Sequence, residues 1–298
     1  MLLIYKKYAV DTTFGNVKHI LLFNCYIMKY FFFLVLFCTS TVFAAKVDTI
    51  QVFSATMQKN VPCVVVKPDQ KKGKKERYPV VYLLHGYSGN YRSWVKDFPS
   101  VTTDADKYGI IVVCPDGGFS SWYLDSPLDS SYRYETFMIK ELLPYIDANY
   151  PTIADRAHRG ISGLSMGGHG AFYLTLRHKD LFGVVNSTSG GVDIRPFPNN
   201  WDLKKRLGEI ASYPQNWEAN TVINLADSLK KDELKIAFDC GVSDFFLQVN
   251  RDLHKKLLDN KIAHDYTERP GGHNGAYWRT AILYHMLFFH NFFTDPTL

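Results

Sequence analysis

The chain has 298 residues, 46% apolar and 15% aromatic, which is enough to close a sizeable core in one large α/β domain or two small ones. That composition excludes disorder and collagen-like repeats as the main architecture. With 34 basic against 29 acidic residues the formal net charge is only +5, and no segment repeats at solenoid spacing, so no nucleic-acid partner held by charge is expected.

The N-terminal stretch reads as a leader rather than as domain. From Met28 the sequence runs Met-Lys-Tyr, an apolar segment Phe31 to Cys38, three small polar residues, then Val42-Phe43-Ala44. Lys29 supplies a positive start, the run a short apolar helix, and Val42 with Ala44 the small residues signal peptidase needs. Residues 28–44 are therefore expected to be a signal peptide, cleaved after Ala44 or Ala45, leaving an exported (periplasmic or secreted) protein with no stable membrane insertion. Residues 1–27 show neither helical nor strand periodicity, and translation is expected to start at Met28, making them a mis-assigned extension. A competing reading joins Ile20 to Ala45 into one anchor, at the cost of a lysine near its middle. A lipoprotein start at Cys38 is disfavoured by the bulky Phe37 before it. Of five cysteines, Cys63, Cys114 and Cys240 survive cleavage, too few for a disulfide framework. They are expected to be buried thiols, with one bridging pair left open.

The domain, residues 45–298, alternates strands with helices. Lys46 to Phe53 and Val61 to Lys67 read as strands. Pro79 to Leu84 and Ile110 to Cys114 are unbroken apolar runs, as strands covered on both faces require. Tyr134 to Ala148 carries Phe137, Ile139, Leu142, Leu143 and Ile146 at helical spacing. A short strand ending near Ile161, a helix Met166 to Arg177 and a strand near Phe182 to Asn186 follow. After them come a strand Lys235 to Phe238, a helix Phe245 to Leu258, a strand around His264 to Glu268 and a last helix Ala276 to Phe289. This order predicts one α/β domain with a mostly parallel central sheet and helices on both faces. Residues 191–232, holding Pro196, Pro198, Trp201, Pro214 and Trp217, fit the alternation least and read as an excursion over the sheet edge.

In such sheets chemistry gathers where strands end in loops. Gly163-Leu164-Ser165-Met166-Gly167-Gly168 follows a short strand and opens a helix, the context in which Gly-x-Ser-x-Gly is a nucleophile elbow. A serine hydroxyl attacks only when a histidine can take its proton and a carboxylate fixes that histidine. Downstream, Asp244 and His273 each lie in a loop just after a strand. Asp239, nearer its strand end, reads as a cap or brace. His254 and His264 fall within regular elements, and His285 and His290 in the aromatic last helix. The main-chain N–H of Met166, directly after the serine, and of Tyr87, in the loop His85-Gly86-Tyr87-Ser88-Gly89, are the expected oxyanion donors. No His-Glu-x-x-His or Cys-x-x-Cys pattern occurs, so neither metal nor cofactor is expected.

Together these segments resemble the esterase D-like, or "putative esterase", branch of the α/β-hydrolases, which includes tributyrin, feruloyl and acetyl-xylan esterases and S-formylglutathione hydrolases. The matching pieces run in order from His85 to Gly89, through Pro115-Asp116-Gly117, Ser121-Trp122-Tyr123 and Gly163 to Gly168, to Cys240-Gly241, Asp244-Phe245 and Pro270-Gly271-Gly272-His273. The resemblance implies an α/β-hydrolase fold with Ser165 as nucleophile, Asp244 as acid and His273 as base, and Trp122 lining the acyl or alcohol pocket. It places Tyr87 where many relatives carry a smaller residue. The activity it implies is that of a serine carboxylesterase on small-molecule or carbohydrate esters, with acetyl or feruloyl groups suited to an exported enzyme. An acyltransferase using the same triad, a serine peptidase and a non-catalytic carbohydrate-binding protein are the rivals.

Overall fold

The computed structural model describes residues 45–69 and 76–295, so the leader read from residues 1–44 lies outside the described residues. Lys46–Ser54 (β1) and Lys59–Lys67 (β2) form an antiparallel hairpin. Val80–Leu84 (β3), Ile111–Pro115 (β4), Arg159–Gly163 (β5) and Val184–Thr188 (β6) are buried at every position. Lys235–Gly241 (β7) and Asp265–Arg269 (β8) complete the set. The eight strands lie in the order β1-β2-β4-β3-β5-β6-β7-β8. Only β1 with β2 and β2 with β4 are antiparallel; all other neighbours run parallel. The predicted mostly parallel sheet is present, and all described residues fall in one compact unit.

Alternation along each strand divides the core between the two faces. On β3, Val80, Tyr82 and Leu84 point into the larger cluster, which includes side chains of the Met166–Arg177 and Leu247–Asp259 helices. Val81 and Leu83 point into the smaller one, under the Ser93–Asp97, Ser100–Tyr108 and Gly275–Thr294 helices. Each such fully buried aliphatic side chain stabilises the fold by about 1.5–3 kcal/mol. The helix predicted from Tyr134 is present but widens into a π-helical stretch at Phe137–Leu142 before continuing as Leu143–Asn149. Pro144, which has no N–H for the carbonyl four residues earlier, is the local reason.

One expectation is corrected, and one alternative left open is closed. Residues 191–232 do not run over a sheet edge: they connect β6 and β7, which are interior neighbours. Their buried side chains Leu203, Leu207, Trp217 and Val222 join the larger cluster, because that much apolar surface is removed from water only against a face. Among the described residues no cysteine pair bridges: Cys63, Cys114 and Cys240 are all free and buried, as thiols beside apolar runs were expected to be. Cys63 and Cys114 lie on adjacent strands but point to opposite faces. Cys240 on β7 is separated from β2 by four strands, roughly 24 Å at ordinary strand spacing, beyond disulfide reach. No described helix is long and apolar enough to cross a membrane.

Candidate active site

β5 ends in the turn that carries Ser165, whose backbone adopts φ 56° and ψ −116° before the Met166–Arg177 helix begins. That conformation is strained for a residue with a Cβ and turns the hydroxyl away from the sheet. The residues two positions to either side must lack side chains. A Cβ on Gly163 would overlap the carbonyl of Gly167, and one on Gly167 would overlap the carbonyl of Leu84. The turn is held by Ser165 N–H donating to the Thr188 carbonyl (3.1 Å) and Gly167 N–H to the Leu164 carbonyl (2.7 Å).

β7 and β8 deliver the other two groups. Asp244, 6% exposed, lies in the loop after β7, where its Oδ1 also accepts the Phe246 N–H at 2.8 Å. The helix that follows is capped by Phe246, so Asp244 is not its N-cap. His273 lies in the loop after β8. Its Nδ1 is 3.0 and 2.9 Å from the two Asp244 oxygens, and its Nε2 is 2.9 Å from Ser165 Oγ. Because a carboxylate can only accept, Nδ1 carries the proton and donates it to Asp244. This leaves the Nε2 lone pair for the serine hydroxyl. Three aromatic rings confine the imidazole: Phe245 leans over it at 4.2 Å, while Phe246 and Trp278 meet it edge-on at 5.4 and 5.0 Å.

The loop after β3 closes the opposite side. Gly86 is pressed against the elbow, a Cβ there falling 2.6 Å from Leu164 Cδ1 and 3.4 Å from Ser165 Cβ. His85 braces this loop from beneath, its Nε2 accepting the Gly117 N–H (2.7 Å) and its Nδ1–H donating to the Gly86 carbonyl (2.8 Å). Burial keeps the ring below the usual imidazole range and therefore neutral, as that pattern requires. Among the described hydrogen bonds, neither Tyr87 N–H nor Met166 N–H donates to a protein acceptor. Ser165 and His273 open into a cleft of about 940 Å³ whose walls include Tyr87, Trp201, Phe245 and Trp278 on the aromatic side and Lys96 and Arg279 on the charged side.

Trp122 does not line this cleft. It is 1% exposed, and its indole N–H donates to the Trp201 carbonyl at 3.2 Å. It supports the aromatic wall from behind, and the residue presented to the cleft is Trp201, stacked on Phe245 with ring centroids 5.4 Å apart. The sequence signal for Trp201 was the Pro- and Trp-rich excursion, whose path could not be read without the fold.

Asp239 is nearly fully buried and faces His285, not His273. Burial opposes its charge, but hydrogen bonds from His285 and Thr188 and the Arg269 guanidinium hold its carboxyl below the usual carboxylate range. His254 and His264 bond to each other at 2.8 Å, and His290 stacks on Tyr108. A depression of about 800 Å³ lies at the other end of the strands, beside Leu234, Ile262 and Phe288, but no serine or cysteine lines it. Among the described residues no group of three or more His, Cys, Asp or Glu could hold a metal ion.

Residues 54–289 match the family described as "Putative esterase". The chain is 29% identical over 252 residues to an acetyl esterase of Caldicellulosiruptor saccharolyticus, covering 78% of this chain and 94% of that one. It is 28% identical over 238 residues to an esterase of Mycobacterium tuberculosis, covering 70% of this chain but only 51% of that one, so it spans about half of that relative. Among solved structures, a ferulic acid esterase superposes with a TM-score of 0.72 at 30% identity, over 84% of this chain and 99% of the other. An S-formylglutathione hydrolase from Agrobacterium tumefaciens has the same fold, with a TM-score of 0.72 at 20% identity over 85% and 97% of the two chains. With its eight-stranded sheet, its helices on both faces and these relatives, the chain belongs to this esterase family of α/β-hydrolases and is a carboxylic ester hydrolase.

Proposed function

We propose that Ser165, His273 and Asp244 are the catalytic triad of an exported serine esterase acting on acetyl, feruloyl or other short acyl esters of carbohydrates. The observation that carries this reading is the His273 ring, hydrogen-bonded at once to Ser165 Oγ at 2.9 Å and to the Asp244 carboxylate. Ser165 Oγ attacks the ester carbonyl as its proton passes to His273 Nε2. The carbonyl oxygen becomes an oxyanion between the N–H groups of Tyr87 and Met166, each worth about two to three powers of ten in rate by analogy with measured donors. The intermediate collapses, His273 gives its proton to the departing alkoxide, and the alcohol leaves. Water then attacks the acyl-enzyme, losing a proton to His273, which returns it to Ser165 as the acid departs. Asp244 keeps the imidazole in the required tautomer and stabilises its charged form.

The substrate class rests on the aromatic wall, Tyr87, Trp201 and Phe245, which offers flat apolar faces to a sugar or an aryl acyl group, and on the acetyl esterase and ferulic acid esterase relatives. A panel of p-nitrophenyl acyl esters of increasing length, a feruloyl ester and an acetylated oligosaccharide, run beside Ser165→Ala, tests both chemistry and class. Wild-type turnover in the alanine variant would overturn the assigned nucleophile, and accumulation of an acylated acceptor sugar would replace hydrolase with transferase. Export predicts a new N-terminus at Ala45 or Lys46 in the extracytoplasmic fraction; an intact Met1 there would overturn both the leader and the Met28 start.

A further inference from the structure

Beneath the proposed triad, between the sheet and the Gly275–Thr294 helix, lies a second set of polar side chains with almost no exposure: Ser162, Thr188, Asp239 and His285, at 0, 0, 2 and 3%. The Asp239 carboxylate fixes the direction of two of their hydrogen bonds. Asp239 can only accept, so His285 Nε2–H donates to its Oδ2 at 2.7 Å and the Thr188 hydroxyl to its Oδ1 at 2.8 Å. His285 Nδ1 is hydrogen-bonded to the Ser162 hydroxyl at 3.0 Å, accepting from it when the ring is neutral and donating to it when the ring is protonated.

The set closes on the nucleophile. Ser162, on β5, precedes Ser165, in the turn that follows β5, by three residues, and the Thr188 carbonyl accepts the Ser165 N–H at 3.1 Å. One circuit thus runs from β5 through the Gly275–Thr294 helix to β7, across to β6 and back to the elbow. The other two triad members leave the same frame. Asp244 follows Asp239 out of β7, and His273 follows Arg269, whose guanidinium lies 3.6 Å from the Asp239 carboxylate. The helix that begins just after His273 carries both His285 and Trp278, whose indole N–H donates to Ser189 Oγ at 3.1 Å.

Stability alone does not account for such a set. Replacing a buried charged group and its partners by apolar side chains of similar volume is often neutral or stabilising, because the desolvation of the ion is avoided. What an apolar filling cannot do is fix one angular relation among four elements, since dispersion contacts carry no direction. We propose that Ser162, Thr188, Asp239 and His285 form a positioning network that sets the separation of Ser165 Oγ, His273 Nε2 and the Asp244 carboxylate. The inference rests on the triad reading above. None of the four touches substrate; each acts through the strand or helix that carries a reacting group.

The test uses Thr188→Val, which keeps the shape and removes the hydroxyl donor, and Thr188→Ser, which keeps the hydroxyl. Competent sites are counted with a fluorophosphonate that labels the nucleophilic serine, and kcat and KM for p-nitrophenyl acetate are expressed per labelled site. Displacements well under 1 Å between reacting groups already cost rate, so Thr188→Val is expected to lose on the order of tenfold in kcat per site. Its KM should stay within about twofold, and Thr188→Ser should recover most of the kcat loss. A Thr188→Val enzyme with wild-type kcat per site, however reduced its resistance to urea, would overturn the inference. If that variant does not fold, Ser162→Ala, which removes only the terminal donor, carries the same readouts. Failure of the underlying triad reading has a separate signature: wild-type protein that takes up no label, or turnover that survives Ser165→Ala.

Discussion

Two serine–histidine–aspartate sets lie close together around the same strands, and only one of them, the proposed catalytic triad, opens into a cleft. In Ser165–His273–Asp244 the histidine donates from Nδ1 to the carboxylate and offers Nε2 to a serine on a strained turn at the floor of an open cleft. In Ser162–His285–Asp239 the nitrogens are reversed, the serine is an ordinary strand residue, and nothing in the set is more than 3% exposed. The bond lengths of the two are alike. A proton relay becomes an active site only where a carbonyl can approach the hydroxyl and donors wait for the oxyanion; the same three residue types sealed from water serve geometry instead.

The widest separation between the sets should come from the serines. Ser165→Ala is expected to lower kcat on p-nitrophenyl acetate by about four or more powers of ten, and Ser162→Ala by no more than about two. Losses of equal size would erase the distinction drawn above. The aspartates should differ in kind as well as in amount. Asp244→Asn is expected to cost about three to four powers of ten in kcat with its melting temperature little changed. Asp239→Asn, which removes the buried carboxylate that His285, Thr188 and the Arg269 guanidinium face, should cost about 3–5 kcal/mol in urea unfolding at pH 7. The Asp239 carboxyl is held low in the fold, so its stabilisation is complete above the unfolded carboxylate value, about 3.9, and is lost as pH falls through the lowered folded value. The stability gap between wild type and Asp239→Asn should therefore narrow in unfolding curves taken near pH 3, and a gap constant with pH would contradict the charged assignment.

A third comparison concerns His169, on the helix that starts at the elbow. Its ring nitrogens face the carbonyls of Trp122 and Asn220 at 3.1 and 2.9 Å, and burial brings its pKa down to about 4 despite those contacts. A base whose folded value lies below its unfolded value of about 6.5 favours the fold above that value and loses the advantage as pH falls. Wild type should thus lose up to about 3 kcal/mol between pH 6.5 and 4 from this residue, and His169→Gln should show a flatter unfolding profile over that window. The smallest effect is expected at the cleft wall. Trp201→Ala should raise KM for a feruloyl ester by several-fold with little change in kcat, whereas an unchanged KM would remove Trp201 from substrate contact.

Much of this was legible along the chain because the relevant signals are local. Unbroken apolar runs marked β3 and β4, whose residues are buried on both faces. The glycines around Ser165 marked a turn where side chains would collide with carbonyls of the adjacent loop and helix. Asp244 and His273 were found because each follows a strand into a glycine-bearing loop. Trp122 was misplaced, and the partner of His285 went unread, for the complementary reason: a tryptophan or histidine in a window of sequence looks the same whether its far side meets solvent, another ring or a carboxylate on a distant strand.

The order of strands and helices, the glycine-enforced turn and the residue types able to move a proton were determined by the sequence itself, since each depends on neighbours a few positions apart. The tertiary structure decided which aspartate meets which histidine, that Trp201 and not Trp122 faces the cleft, that the three cysteines stay apart, and that Ser162 is sealed while Ser165 is open. Those outcomes depend on which strands become neighbours and which face of each is covered. They are set by burying the apolar surface of the whole chain at once, a quantity that no local window contains.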